Sequence, residues 1–300
     1  MKTPAYLKKG STVALVAPAR KVTAAEMAPA ISKLQEWGLD VAIGQHLTGS
    51  WNQFSGTDTE RAADLQQMLD RDDIRAIFCA RGGYGLVRII DRLDFTRFVT
   101  DPKWIVGYSD ITGLHSHIHT NFGIETLHAV MPIQFGDPQQ TTGTFESMRK
   151  ALFGESLSYT IPSSPLSRPG TARGILTGGN LSLIYGLCGS ASDLVTHGKI
   201  LFLEDLDEYL YHIDRMMFNL KRSGKLSRLA GLILGNMTGI KDNQVPFGKT
   251  AEEIIAEAVG EYDYPVCFNF PAGHADDNRA LILGRETMLS VGDQIFFKQA

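Results

Sequence analysis

Ser109 occupies a position where a hydroxyl has the means to act as a nucleophile. It lies in WIVGYSDITGL, residues 104–114, where an apolar run, Trp104, Ile105, Val106 and the small Gly107, breaks at Tyr108 and a helix-compatible segment begins at Ile111. A strand that turns sharply into a helix lifts the turn residue above the sheet edge. The first backbone N–H groups of the new helix have no internal partner there and are free to receive an oxyanion. Gly107 fits the first glycine of the G-x-S-x-G elbow, whereas Ile111 stands at the position of the second. The same G-x-S-D turn also suits an ordinary Ser/Asp helix cap.

Two further residues have types that complete such chemistry. Glu204 closes the apolar run ILFLE, and a carboxylate at the end of a buried strand must be paired. It is placed to orient a histidine; the plainer alternative is a salt bridge, for example to Arg215. His274 follows PAG, just past the apolar VCFNF, where small residues let an imidazole reach over a cleft. The order Ser, Glu, His is one of several that support one hydrolytic mechanism. Asp205, Asp207 and Glu208 are expected on a solvated turn.

Other candidates carry less. The loop RGGYG, residues 81–85, lacks the spacing of a P-loop or a dinucleotide fingerprint. Its glycines imply a tight turn or a close approach, with the Gly83 N–H as a donor to a substrate carbonyl, or a plain strand-to-helix turn. His115 and His119 share a helix face, but no carboxylate or cysteine at ligand spacing supports a metal; a solvated or core-edge pair is expected. Cys79, Cys188 and Cys267 are scattered in apolar contexts and read as buried thiols.

The elements that must hold these residues follow from periodicity. Apolar runs at 13–17, 39–43, 74–80 and 104–106 read as strands. Between them lie amphipathic stretches with Met27, Ile31, Leu34 and Trp37 on one face, and Ala62, Leu65 and Leu69 on another. Thr23 and Glu26 form a capping-box spacing, and Asp58 is the expected cap of the second helix. Strand–helix alternation predicts a mostly parallel sheet covered on both faces, with ligands at the carboxyl ends of its strands. The loop at 81–85 and Ser109 both fall there and are expected to share one crevice.

The Ser-, Pro- and Gly-rich segment 154–173 reads as a linker. It separates an α/β domain, residues 1–153, from a smaller domain, residues 174–300. The second contains a helix bearing Leu210, Ile213, Met217 and Leu220, and short strands near 200–203, 232–234, 266–268, 281–283 and 295–297. The 300-residue chain is 43% hydrophobic and 21% charged with a formal net charge of −4. That balance gives no electrostatic footprint for nucleic acid or an anionic membrane. The apolar run at 13–17 is too short for a signal sequence or a membrane span, so a cytoplasmic protein is expected.

Taken together, the blocks VALVAPA, RGGYG, GYSDIT, TGGNLS, FLEDLDEYLYHIDRMM and PAGHADDN resemble the LD-carboxypeptidase family of serine peptidases, the muramoyltetrapeptide carboxypeptidases. The resemblance runs over essentially the whole chain. It implies an N-terminal α/β sandwich with a C-terminal domain of mainly β character, and a site between them. It implies a triad of Ser109, Glu204 and His274, and an oxyanion hole of backbone amides, which we assign to Gly83 and Asp110. A carboxypeptidase must also grip the free carboxylate of its substrate. Arg81, with Gly82 and Tyr84 beside it, is the candidate, a structural ion pair being the alternative for the arginine.

The implied reaction removes the terminal D-alanine from an L-centre in peptidoglycan tetrapeptides during cell-wall recycling, by a cytosolic homodimer without metal or organic cofactor. A related branch with the same triad cleaves an amide next to an aminoacyl-nucleotide. A binding module of two lobes without chemistry is the reading from a different class. One departure concerns the cleft wall: the family often has His-Gly-Pro after the nucleophile helix, and this chain reads His128-Ala129-Val130-Met131-Pro132.

Overall fold

A computed structural model describes residues 1–300. The first part of the chain alternates strand and helix: β1 (Thr12–Val16), α1 (Ala24–Glu36), β2 (Asp40–Ile43), α2 (Asp58–Asp70), β3 (Ile74–Cys79), α3 (Thr96–Thr100), β4 (Trp104–Gly107), α4 (Thr112–Phe122), β5 (Thr126–His128) and α5 (Thr142–Leu152). Helix α1 starts where the capping box predicts: Thr23 accepts from the Glu26 amide and the Glu26 side chain returns to Thr23 N. Helix α2 starts one residue earlier than expected. Thr57, not Asp58, is its cap, in a second reciprocal pair with Glu60. Asp58 is the first helical residue, and the guanidiniums of Arg61 and Arg88 claim its carboxylate.

The rest comprises β6 (Leu157–Pro162), β7 (Gly170–Asn180), α6 (Leu181–Leu187), β8 (Ile200–Leu206), α7 (Leu210–Arg222), β9 (Gly231–Thr238), α8 (Ala251–Ala258), β10 (Val266–Cys267), β11 (Leu281–Leu283), β12 (Glu286–Val291) and β13 (Gln294–Gln299). Two sheets result. The first has the order β11-β5-β4-β3-β1-β2, parallel except for β11, which runs against β5. The second has the order β10-β9-β8-β7-β12-β13-β6; its first four strands are parallel and the remainder antiparallel. The chain is thus α/β, with a parallel-rich first sheet and a sheet-dominated second part.

Two boundaries differ from expectation. The segment read as a linker contains β6, whose residues Leu157, Tyr159 and Ile161 point inward while Ser158, Thr160 and Pro162 face out. Its Ser and Pro content masked a period of two. Strand β11, from late in the chain, completes the edge of the first sheet. The largest buried cluster accordingly joins Phe78 and Trp104 of the first sheet to Phe202, Ile233 and Phe297 of the second.

Candidate active site

Strand β4 is wholly buried and delivers Ser109 with a left-handed backbone, φ +62°, into one 3₁₀ turn and then α4. A non-glycine residue in that conformation is held there by its surroundings. A Cβ on Gly107 would lie 2.9 Å from Ile111 Cγ1. Ile111 therefore packs into the space the first glycine leaves open, which explains why a second glycine is not required. Ser109 retains 8% exposure.

The loop after β3 runs directly past this serine. A Cβ on Gly82 would come within 3.1 Å of Ser109 Oγ and 3.3 Å of the Asp110 amide nitrogen. The expected close approach is therefore real, and Gly82 is the residue that makes it. Gly83, Tyr84 and Gly85 all have positive φ. Arg61, buried on α2, donates to the carbonyls of Pro18, Gly85 and Gly56, pinning the loops after β1 and β3 to each other. The Asp110 carboxylate accepts the Leu86 amide at 2.9 Å, and burial pushes it up to about 6.

Glu204 lies within β8 and is fully buried. The β8–β9 register shifts between Leu203 and Asp205, so that Gly235 and Asn236 of β9 together oppose the single residue Glu204, a bulge of one extra residue. The loop bearing His274 docks onto this irregularity. Phe270 N donates to Leu234 O, Asn236 N to Ala272 O, and Thr238 Oγ1 to His274 O. Gly273 is obligatory at φ +119°, because a Cβ there would sit 2.8 Å from Glu204 Cβ. The result is a contact of 2.6 Å between His274 Nδ1 and Glu204 Oε2. Burial works against the imidazolium. The Glu204 carboxylate, joined by Asp205 and Asp207, outweighs it and holds the histidine above its ordinary value.

Ser109 and His274 line one cavity of about 360 Å³, together with Arg20, Arg81, Gly82 and Gly83. The hydrogen bond from Ser109 to His274 is not formed in this geometry; such bonds are often loose before substrate binds. A second, larger cavity of about 640 Å³ opens on the other side of Ser109, and Gly83 and Leu206 belong to both. Tyr84 lies on the larger one.

Several expectations are corrected. Asp205 is not on a solvated turn. It is buried, accepting from Asn180 Nδ2 at 2.8 Å and from Ser182 N at 2.9 Å, and burial followed by the Glu204 charge pushes it up to about 7. Arg215 stacks over Tyr211 and is not the partner of Glu204. His115 and His119 are buried and engaged separately, by Gly107 O and Thr126 Oγ1. Cys188 is half-buried. Sequence reasoning missed Arg20 and Asn180. Each stands just past the carboxyl end of a parallel strand, or at that end, and that position was the available signal.

The comparisons with known proteins fit this geometry. The family model described as the LD-carboxypeptidase N-terminal domain matches residues 13–129, and that described as the C-terminal domain matches residues 173–289. The Bacillus subtilis (strain 168) protein named "Probable murein peptide carboxypeptidase" is 35% identical over 297 residues, covering 97% of this chain and 92% of the relative. The chain belongs to the LD-carboxypeptidase family.

Within that family, the "Murein tetrapeptide carboxypeptidase" of Pseudomonas aeruginosa is 28% identical over 92% of each chain. The "Microcin C7 self-immunity protein MccF" of Escherichia coli is 28% identical over 84% of this chain and 81% of its own. The fold is that of the solved muramoyltetrapeptide carboxypeptidase from Oxalobacter formigenes, with a TM-score of 0.87 at 24% identity over 96% of this chain and 98% of that one. The family is one of peptidases, and no helix of this LD-carboxypeptidase relative is long and apolar enough to cross a membrane.

Proposed function

We propose that this protein is a serine carboxypeptidase that removes the terminal D-alanine from peptidoglycan tetrapeptides. The observation that carries the reading is the Glu204–His274 couple at 2.6 Å, facing the cavity that Ser109 also lines. Neutral His274 takes the Ser109 proton as the hydroxyl attacks the carbonyl of the L-centre. Glu204 fixes the ring through Nδ1 and stabilises the imidazolium that forms. The oxyanion rests on the backbone N–H groups of Gly83 and Asp110, on either side of the Gly82 close approach. His274 then protonates the leaving amine of D-alanine and activates water to release the acyl group. Arg81 receives the terminal carboxylate from the same cavity, Arg20 lying beside it.

On this reading the enzyme acts in the cytoplasm, as a homodimer, on released muropeptides; light scattering after gel filtration measures the assembly. The larger cavity does not favour the aminoacyl-nucleotide reading. The larger cavity carries Tyr84 as its single aromatic ring and no cationic side chain for a phosphate-like group.

Mass spectrometry of a defined muropeptide tests the proposal. Loss of one alanine is expected from a tetrapeptide and not from a tripeptide, with an aminoacyl sulfamoyl-adenosine run in parallel as the rival substrate. The Ser109→Ala variant should lose on the order of 10³-fold or more in kcat with its fold intact. Wild-type turnover by that variant would remove Ser109 from the mechanism.

A further inference from the structure

Behind the Glu204–His274 couple lies a fully buried amide side chain that the triad does not use, that of Asn278. It stands just before Leu281, which the β11–β5 register sets opposite His128. The loop that carries His274 is closed at its base by Arg279 N donating to Pro271 O at 2.8 Å. It is anchored on α5, where Thr144 Oγ1 accepts the Asn278 N–H at 3.0 Å and donates to Asp276 O at 3.1 Å. Asn278 Oδ1 then reaches back across the loop and accepts the Gly273 N–H at 2.9 Å. A tether thus runs from α5 through one side chain to the residue that precedes His274.

The other end of that amide meets a histidine. Asn278 Nδ2 completes no hydrogen bond within the protein, and the side chain lies beside His128. His128 ends β5, is itself fully buried, and has both ring nitrogens unpartnered. Its ring packs edge-on against Phe202 at 5.0 Å and tilted against Tyr108 at 5.5 Å, and Tyr108 in turn lies 4.6 Å from the His274 ring. Burial, to which His115 and His274 add, holds His128 well below the ordinary histidine value. The ring is therefore neutral and keeps one nitrogen lone pair. A phenylalanine of the same outline would leave no nitrogen unsatisfied in this pocket. The histidine costs stability, and it stands one ring away from His274 and one amide away from Gly273.

We propose that Asn278 is the positioning residue for His274, and that His128 is the acceptor that aims its amide. Asn278 Nδ2 donates to the His128 lone pair and Oδ1 takes the Gly273 N–H. Donation to the ring polarises the amide and strengthens its oxygen as an acceptor. The imidazole of His274 is thereby kept at hydrogen-bond distance from Glu204 while it gains and loses the Ser109 proton. The inference rests on the triad proposed above and is independent of which peptide is cleaved.

Proton NMR of the protein without substrate reads the Nδ1–H of His274 on Glu204 as a low-field resonance, identified by its loss in His274→Gln. In Asn278→Ala that resonance should vanish or move upfield. On a tetrapeptide, kcat should fall by roughly tenfold or more with KM within about threefold of wild type. His128→Phe should move the same resonance and lower kcat by about threefold or more, the scale of one neutral hydrogen bond, while its melting temperature is unchanged or higher. A side chain that merely fills the core would not slow turnover without loss of stability. Thermal melts establish which variants are folded, and His128→Phe decides the matter should Asn278→Ala not fold. An unmoved resonance in either folded variant overturns the inference and leaves the carboxypeptidase reading standing. A resonance that moves as expected, in a protein that releases no alanine from a tetrapeptide, upholds the positioning pair and overturns that reading of the substrate.

Discussion

His274 is held between opposing effects whose balance, on the proposed mechanism, sets the pH range of activity. Burial favours the neutral ring, and the Glu204 carboxylate together with Asp205 and Asp207 favours the imidazolium by more, so the folded-state value lies above the ordinary figure of about 6.5. Only the neutral ring can accept the Ser109 proton. Activity should therefore fall as pH drops through the raised value, placing the acid limb of kcat/KM above about pH 6.5. Replacing Glu204 with Gln leaves burial as the dominant influence, and the midpoint should move below that of an ordinary histidine, along with a large loss of rate. A pH–rate series on wild type and Glu204→Gln measures both; an unmoved midpoint would mean that another group controls the limb.

At the scale of the element, two glycines show how backbone approach builds the site. Gly82 has an ordinary φ, so adding a methyl group there introduces no backbone strain. The methyl would only press against Ser109 Cβ at 3.0 Å and Oγ at 3.1 Å. Gly82→Ala should therefore leave the melting temperature close to wild type while lowering kcat by roughly tenfold or more, because a displacement of about 1 Å at a reacting atom is costly.

Gly273→Ala makes a contrast. It combines φ +119° with a 2.8 Å clash against Glu204 Cβ. It should destabilise the fold by about 1–3 kcal/mol in addition to impairing turnover, as read by urea unfolding. If the two substitutions behave alike, the distinction between steric and conformational roles is wrong. Capping belongs to this scale too. The Thr23–Glu26 pair was legible from spacing, whereas the start of α2 needed Arg61 and Arg88 to take Asp58 out of contention for the cap.

Across the whole molecule, the two sheets do not make separable halves. The late strand β11 closes the first sheet on β5, and Arg285 next to it forms a buried pair with Glu125 at 2.6 Å. Removing one member strands a buried charge. Arg285→Met should cost about 3–5 kcal/mol, and the double variant Glu125→Gln/Arg285→Met considerably less. For the same reason residues 1–153 alone should fail to give a cooperative transition by circular dichroism, since both an edge strand and part of the common core are missing. The full chain should unfold in one step. A stably folded 1–153 fragment would contradict this.

The sequence by itself determined what depends on near neighbours. Ser109 stands at the end of a buried strand because residues 104–107 are a short apolar run, and Glu204 ends an apolar run for the same local reason. The pattern of strand and helix placed the loop at 81–85 and Ser109 at the same sheet edge. Tertiary structure alone decided which distant groups meet.

Glu204 reaches His274, 70 residues on, only because a bulge in β9 receives the 270–274 loop. The register that buries Asp205 under Asn180 is likewise set by strand pairing. The alternation in β6 was present in the residues, but whether it paired depended on β13 offering an open edge. Periodicity records the environment of a residue along its own element. Pairing and cavity charge depend on contacts that loop closure brings about between segments far apart in sequence, and no short window contains them.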